Sequence, residues 1–236
     1  MATKKKTQQE FYGEAPITLE GENFYGFILD PQQKKFRDAI WDPNIDIVFC
    51  NARAGTGKTT VATGVANLLV QYGKYDGIVY MMSPYGDRKQ GWLPGTITEK
   101  SAVYFEAFYQ ALINCNVNPN TAINDESMVN QKNGTGYITC ITDTYLRGTN
   151  LENKVCILDE AQNCTVTQLK KILTRVCDNT KVIVIGHDLQ VDLDDPSTSG
   201  FVKYINHFKD MERAAVCQLT TNHRGWVSQH ADEFEE

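Results

Sequence analysis

No run of apolar residues in this 236-residue chain approaches the ~18 that a membrane-crossing helix needs. The longest, such as Ile45–Cys50 and Val182–Gly186, have the length of buried strands. Positive charge is also scarce: 23 Lys and Arg stand against 29 Asp and Glu, for a formal net charge of −6. The molecule as a whole therefore repels nucleic acid, and binding of that kind has to use a local patch. Metal-ligand cysteine spacing is missing as well. The seven cysteines are an odd set without a Cys-x-x-Cys, and several sit in apolar runs where a thiol behaves as a small hydrophobe. A disulfide framework or structural zinc is not expected, and the reducing cytoplasm is the expected compartment. Residues 1–10 carry the run Lys4-Lys5-Lys6 but no apolar segment, so they do not read as a secretory leader. No internal repeat is visible.

What the chain does have is the composition of one globular domain, with 42% hydrophobic residues. Residues 1–28 are polar and turn-rich, with two short β-like pieces at Ile17–Glu20 and Phe24–Leu29, and read as an N-terminal appendage. At Asp30 the pattern turns helical: Asp30 can cap, Pro31 fits the first helical position, and Phe36, Ile40 and Trp41 recur at helical spacing. From there short apolar strands alternate with helices. Strands are expected at Ile45–Cys50, Gly77–Ser83, Tyr137–Ile141, Val155–Leu158, Lys181–Ile185 and Ala215–Leu219. Helices are expected at Thr59–Gln71, Glu99–Asn114, Val166–Cys177 and Val227–Phe234. Strands rich in Val and Ile and separated by helices predict an α/β domain over residues 29–236, with a mostly parallel central sheet flanked by helices. The polar, Asn-rich stretch Asn114–Gly136 reads as an insertion on the rim.

The strongest local signal lies between the first core strand and the first long helix, where the chain reads Asn51-Ala52-Arg53-Ala54-Gly55-Thr56-Gly57-Lys58-Thr59-Thr60. A phosphate-binding loop needs that context. Gly55 and Gly57 permit backbone angles and close approach that a Cβ would block, so amide N–H groups along Arg53, Ala54, Gly55, Thr56 and Gly57 can point at phosphate oxygens. Lys58 would bridge the β- and γ-phosphates of a nucleotide, and the Thr59 hydroxyl would ligate Mg²⁺, with Thr60 beside it. The usual Gly-x-x-x-x-Gly-Lys-Ser/Thr pattern wants glycine where this chain has Ala52.

A second signal is the strand Val155–Leu158 running into Asp159-Glu160-Ala161-Gln162. In a parallel sheet functional groups collect at the carboxyl ends of strands, where Lys58 and Thr59 also lie. Asp159 is the candidate to hold Mg²⁺, and Glu160 the candidate to orient and deprotonate an attacking water. Beyond the next strand, Gly186-His187-Asp188-Leu189-Gln190 brings a polar group to the same end, and Gln190 is the candidate γ-phosphate sensor.

Together these pieces resemble the PhoH-like family of ATPases, whose RecA-type core is related to superfamily 1 helicases. The resemblance also includes Pro31-Gln32-Gln33, Gly91-Trp92-Leu93-Pro94-Gly95, Tyr145-Leu146-Arg147-Gly148, Leu173-Thr174-Arg175 and Ser199-Gly200-Phe201. It implies a single RecA-like P-loop domain that hydrolyses ATP with Mg²⁺. It also implies that Gln33, or the adjacent Gln32, reads adenine through a bidentate amide contact. Arg147, Arg175 and Arg224 match the family, and an arginine brought to the γ-phosphate accelerates hydrolysis by ~10³-fold or more. A lone RecA-type core leaves its nucleotide open on one face, so Arg224 or Arg175 is expected to act from a neighbouring subunit in a hexameric ring. Single-stranded RNA or DNA is the expected partner, through Arg88, Lys89 and Trp92 or through Arg147 and Tyr145. Gly186-His187 stands where the family has Gly-Asp, and Ser83-Pro84 where it has Arg-Pro. These departures bear on the sensor and on substrate contacts rather than on ATP binding. The alternative reading is a nucleotide-dependent assembly module without unwinding. Phosphate transfer to a small acceptor is a third, which the Asp-Glu-Ala-Gln strand end disfavours.

Overall fold

Strand alternation sorts the core into two faces before any topology is considered. In the computed structural model, which describes residues 13–82, 105–124, 136–142 and 150–232, the chain runs α1 (Pro31–Trp41), β1 (Ile47–Ala52), α2 (Lys58–Gln71), β2 (Ile78–Met82), α3 (Glu106–Asn114), α4 (Pro119–Ala122) and β3 (Ile138–Thr142). It continues through β4 (Val155–Asp159), α5 (Val166–Leu173), β5 (Lys181–Gly186), α6 (Phe201–Phe208), β6 (Ala214–Leu219) and α7 (Trp226–Asp232). Val48 and Cys50 of β1, Tyr80 of β2, Val155 and Ile157 of β4, and Ile183 and Ile185 of β5 share one face with Phe36, Val61, Val65 and Phe108. The intervening residues Ile47, Phe49, Met81, Cys156, Leu158, Val182 and Val184 share the other with Leu169, Ile172 and Phe201. Successive strand side chains point to opposite faces, so helices must cover both.

The six strands lie in the order β3-β2-β4-β5-β1-β6, and every neighbouring pair is parallel. β5 is inserted between β1, which feeds the Gly-rich loop, and β4, which ends in the two carboxylates. This is the RecA-like P-loop arrangement, and it sets both motifs at the carboxyl edge of one sheet. Register agrees: Asn51 of β1 is level with Gly186 of β5, and Met82 of β2 with Asp159 of β4.

The expected β-like pieces near the amino terminus are turns instead. The Asn23 side chain accepts from the Gly26 amide, and the Phe27 amide donates to the Phe24 carbonyl, closing the chain on itself. The segment nevertheless packs on the core: Leu19, Phe24 and Leu29 are buried, Trp41 Nε1 donates to the Pro16 carbonyl, and Tyr25 Oη donates to the Gly64 carbonyl of α2. Within the stretch read as a rim insertion, Asn118 caps α4 and Ile123 pairs with Ile138. Residues 125–135 of that stretch, Lys4–Lys6, Ser83-Pro84, Arg88, Lys89, the Gly91–Gly95 segment with Trp92, and Tyr145–Gly148 with Arg147 fall outside the described residues.

Candidate nucleotide site

The loop between β1 and α2 turns on two left-handed glycines, Gly55 at φ +73° and Gly57 at φ +74°. A Cβ on Gly57 would sit 3.0 Å from Gln33 Nε2, and one on Gly55 would sit 2.8 Å from Asn222 Oδ1. Here the loop must be glycine both for its backbone angles and for the side chains pressed against its outer side. Those side chains belong to a brace. The Arg53 carbonyl accepts from Thr56 Oγ1 (2.9 Å), that of Ala54 from Asn222 Nδ2 (3.1 Å), that of Gly55 from the His223 amide (2.9 Å) and that of Thr56 from Gln33 Nε2 (2.9 Å). Four consecutive carbonyls are held and the Arg53 amide donates to the Leu219 carbonyl at 3.0 Å, so the loop's donors toward the cleft are the N–H groups from Ala54 onward and not that of Arg53, the concave arrangement that binds anions.

The brace is built from the helix start and from the turn after β6. Asp30 caps α1 by accepting from the Gln33 amide at 2.8 Å, and Gln33 Oε1 accepts from the Asp30 amide, a reciprocal capping box. Asp30 Oδ2 lies 2.9 Å from His223 Nε2. Burial opposes the Asp30 charge, yet the Gln33 amide and His223 hold its pKa below the ordinary carboxylate value.

The carboxylates come to the same place from β4. Asp159 is 2% exposed and fully engaged: Oδ2 accepts from Thr59 Oγ1 and from Tyr80 Oη, both at 2.8 Å, and Oδ1 accepts from the Glu160 amide. Burial raises the Asp159 pKa, and the neighbouring Glu160 charge pushes the same way. Burial and then Asp159 push the Tyr80 phenol well up, so it remains a donor. Glu160 takes the left-handed conformation at φ 51°, a backbone strain that L-residues adopt at a cost of about 1 kcal/mol or more. Its carboxylate sits 3.8 Å from Lys58 Nζ and accepts from Gln162 Nε2 at 2.6 Å.

Lys58, Thr59 and Glu160 open on one cleft of about 660 Å³, with Asp159 buried behind Thr59. Its polar end is the loop from Gly55 to Thr60 with Glu160, and its other end is walled by Phe24, Phe27, Ile28 and Leu29 facing Ala107, Ala111, Gln110 and Asn114 of α3. The volume and the mix of apolar walls with a few converging polar groups suit a nucleotide. An oxygen donor pair, Thr59 and Asp159, suits a hard cation. Among the described residues no group of three or more His, Cys, Asp or Glu could hold a metal. Mg²⁺ commonly takes one or two carboxylates and completes its shell with substrate phosphates and water, so the residues present fit it.

Gln33, Gly55, Thr56, Gly57, Lys58, Thr59, Thr60, Glu160 and Arg224 all line the cleft, while Arg53 and Ala54 support the loop through their carbonyls. The Gln33 amide is engaged by α1 and the loop, and Gln32 bonds Thr220 on both its backbone amide and its hydroxyl. Gln190 is exposed and turned from the cleft, with Nε2 3.5 Å from Asp232. Arg53 and the buried His187 also approach Asp232, at 4.0 and 3.9 Å. Arg175 lies at the amino ends of the strands, where its carbonyl accepts from the Leu151 amide. Arg224, expected to reach across a subunit boundary, lines its own chain's cleft.

Three residues were not singled out from the sequence. Gln162 is 1% exposed and joins Glu160 to the end of β5, where its Oε1 accepts from the His187 amide. Its place in Asp159–Gln162 was the available signal. Asn222 stands two residues before Arg224. Tyr80 has no local signal, because its partner is 79 residues away.

The fold and the site define a nucleotide-binding P-loop protein with a RecA-like core. A family model described as PhoH-like protein matches residues 28–228, and the chain belongs to that family. A PhoH-like protein of Mycobacterium bovis is 33% identical over 209 residues, covering 87% of this chain and 56% of the relative. Protein PhoH of Escherichia coli K12 is 31% identical over 188 residues, covering 74% and 51%. The chain thus spans about half the length of the curated relatives it matches. A solved Sulfolobus solfataricus SWI2/SNF2 ATPase core in complex with dsDNA overlaps 89% of this chain and 46% of its own at 15% identity and TM-score 0.43. That overlap is too loose to support an inference. No helix among the described residues is long and apolar enough to cross a membrane.

Proposed function

We propose that this chain is a Mg²⁺-dependent ATP hydrolase that couples turnover to binding or remodelling of single-stranded RNA or DNA. The observation that carries the reading is the convergence of Lys58, Thr59 and a strained Glu160 on one cleft, with Asp159 buried behind Thr59, beside a loop whose carbonyls are tied back. Loop amides and Lys58 bind the β- and γ-phosphates. Thr59 and Asp159 hold the metal, which supplies charge neutralisation on the phosphate oxygens. Glu160, aimed into the cleft and oriented by Gln162, takes the proton of the attacking water. The base lies at the apolar end, between Phe27 and α3, with the second Gln33 N–H as the family's adenine contact. Arg224 reaches the γ-phosphate from within the same chain. A hexameric ring then depends on Arg175, at the amino ends of the strands, acting on a neighbour's nucleotide.

The cationic and aromatic residues named for the nucleic-acid strand support the coupling by their chemistry alone, and the cysteine spacing, which has no disulfide or zinc pattern, supports a cytoplasmic location. Phosphate release from ATP, with and without single-stranded RNA, tests the reading in the wild type and in Glu160→Gln. The variant should bind nucleotide and lose hydrolysis by at least ~100-fold. Undiminished turnover would remove Glu160 as the base, and nucleotide binding without hydrolysis in the wild type would favour the assembly module.

A further inference from the structure

The geometry points to Tyr80 as a positioning residue that fixes the metal-holding carboxylate of Asp159 and so sets how well the site takes Mg²⁺. This rests on the hydrolase reading above and adds a residue to it. In the β2–β4 register Tyr80 is level with Ile157, and Met82 with Asp159. The phenol must therefore lean along the strand by two residues, roughly 6.5 Å, to reach the carboxylate. A tyrosine is long enough to do this, and its ring is clamped where it needs to be. It stacks on Phe108 of α3 at 4.0 Å with an interplanar angle of 15°, and it meets Phe105 edge-on at 5.9 Å. Tyr80 is 1% exposed and lies outside the cleft lining, so its hydroxyl is a fixed, dry donor.

The two side-chain donors on Asp159 Oδ2 are consequently unequal. Thr59 lines the cleft, and its hydroxyl is the group a cation would recruit. Tyr80 cannot be recruited, so its bond to Oδ2 survives ligand binding and holds the carboxylate in one rotamer. Partners of this outer kind typically change metal affinity by ~10–100-fold when removed.

Tyr80→Phe keeps the ring and its stacking and deletes only the donor. Binding of a fluorescent ATP analogue, titrated with Mg²⁺ and repeated in EDTA, reads the effect without reference to turnover. The Mg²⁺ concentration giving half of the metal-dependent binding should rise about tenfold, while affinity in EDTA stays within twofold of wild type. In an Asp159→Asn background the same substitution should add nothing, because the carboxylate it positions is gone. An unchanged Mg²⁺ titration, equal losses with and without metal, or a full effect persisting in Asp159→Asn would each overturn the assignment. A wild type that binds no analogue would overturn the hydrolase reading together with this one, whereas metal-dependent binding unaltered by Tyr80→Phe would sink this one alone.

Discussion

The two ends of the parallel sheet solve opposite problems. At the carboxyl end Glu160 holds a left-handed backbone, and the carboxylates of Asp159 and Glu160 stand side by side with burial raising the Asp159 pKa. Polar groups at the amino end are used to fasten the chain. Lys181, 1% exposed at the start of β5, donates Nζ to the carbonyls of Asp42 and Ile45 just past α1. Asp46 pairs with Arg213, and Thr180 Oγ1 donates to the Leu151 carbonyl. At the carboxyl end the strained Glu160 and two adjacent carboxylates stand where a ligand can engage them, whereas Lys181, Asp46 and Thr180 fasten segments of the chain to one another.

The sharpest way to break this contrast is at Glu160. Glu160→Gly removes the carboxylate and relieves the left-handed strain in one change. Phosphate release should fall by ~100-fold or more, while the thermal midpoint stays level or rises, by the equivalent of up to about 1 kcal/mol. A clear drop in the midpoint would mean that Glu160 fastens the fold through Lys58 and Gln162 and that the two ends do not differ.

The counterpart at the amino end is Lys181→Met. It takes the Nζ donor from two half-buried carbonyls, of which that of Asp42 keeps the Ile45 amide, and should cost ~1 kcal/mol or more in urea unfolding, with kcat within about twofold of wild type. Burial pushes the Lys181 pKa down from 10.5 to about 8, the nearby Asp46 and Asp42 opposing the shift. The sign follows: the unfolded chain holds this proton more tightly, so protonation favours unfolding, and the contribution of Lys181 grows as pH rises from about 8 to 10.5. The stability gap between wild type and Lys181→Met should widen over that window. A gap that narrows would show that the ammonium is stabilised where it lies.

A smaller effect joins structure to binding. Gly57→Ala imposes a left-handed alanine and a Cβ 3.0 Å from Gln33 Nε2, a flexible side-chain end that can yield. About 1 kcal/mol of stability should be lost, and nucleotide affinity should drop more than stability does, since Gln33 would release the Thr56 carbonyl. Calorimetric binding beside thermal unfolding separates the two.

All six strands were legible in the sequence to within about two residues because buried β-branched runs bounded by turns admit few other readings. The phosphate loop and the acidic strand end were legible because each is a local pattern. Helix α6 was not recovered: Phe201–Phe208 is short, rich in aromatic and β-branched residues, and begins at Gly200 without a side-chain cap. Nor were the contacts that tune the site. Tyr80 to Asp159, Gln162 to His187 and Asn222 to Ala54 span 79, 25 and 168 residues. Polar groups that meet only through the sheet's order leave no trace in spacing. The segment before Asp30 misled for the opposite reason, since its polarity describes its turns and conceals Leu19 and Phe24 beneath them.

The smallest expected effect falls on a residue the sequence favoured. Gln190 follows the end of β5, where a γ-phosphate sensor is expected, but its side chain lies toward Asp232 and its carbonyl accepts from Gln162 Nε2 at 3.1 Å. Its link to the Glu160 network therefore runs through the backbone, which a side-chain deletion leaves in place. Gln190→Ala should change phosphate release by less than about threefold, with Gln162→Leu far more damaging because it removes the donor on Glu160 Oε2 and the acceptor for the His187 amide together. A loss of ~30-fold or more in Gln190→Ala would mean that the side chain swings to the phosphate once nucleotide is bound. The segment from Gly186 to Gln190 would then belong with the moving parts of the carboxyl end rather than with its frame.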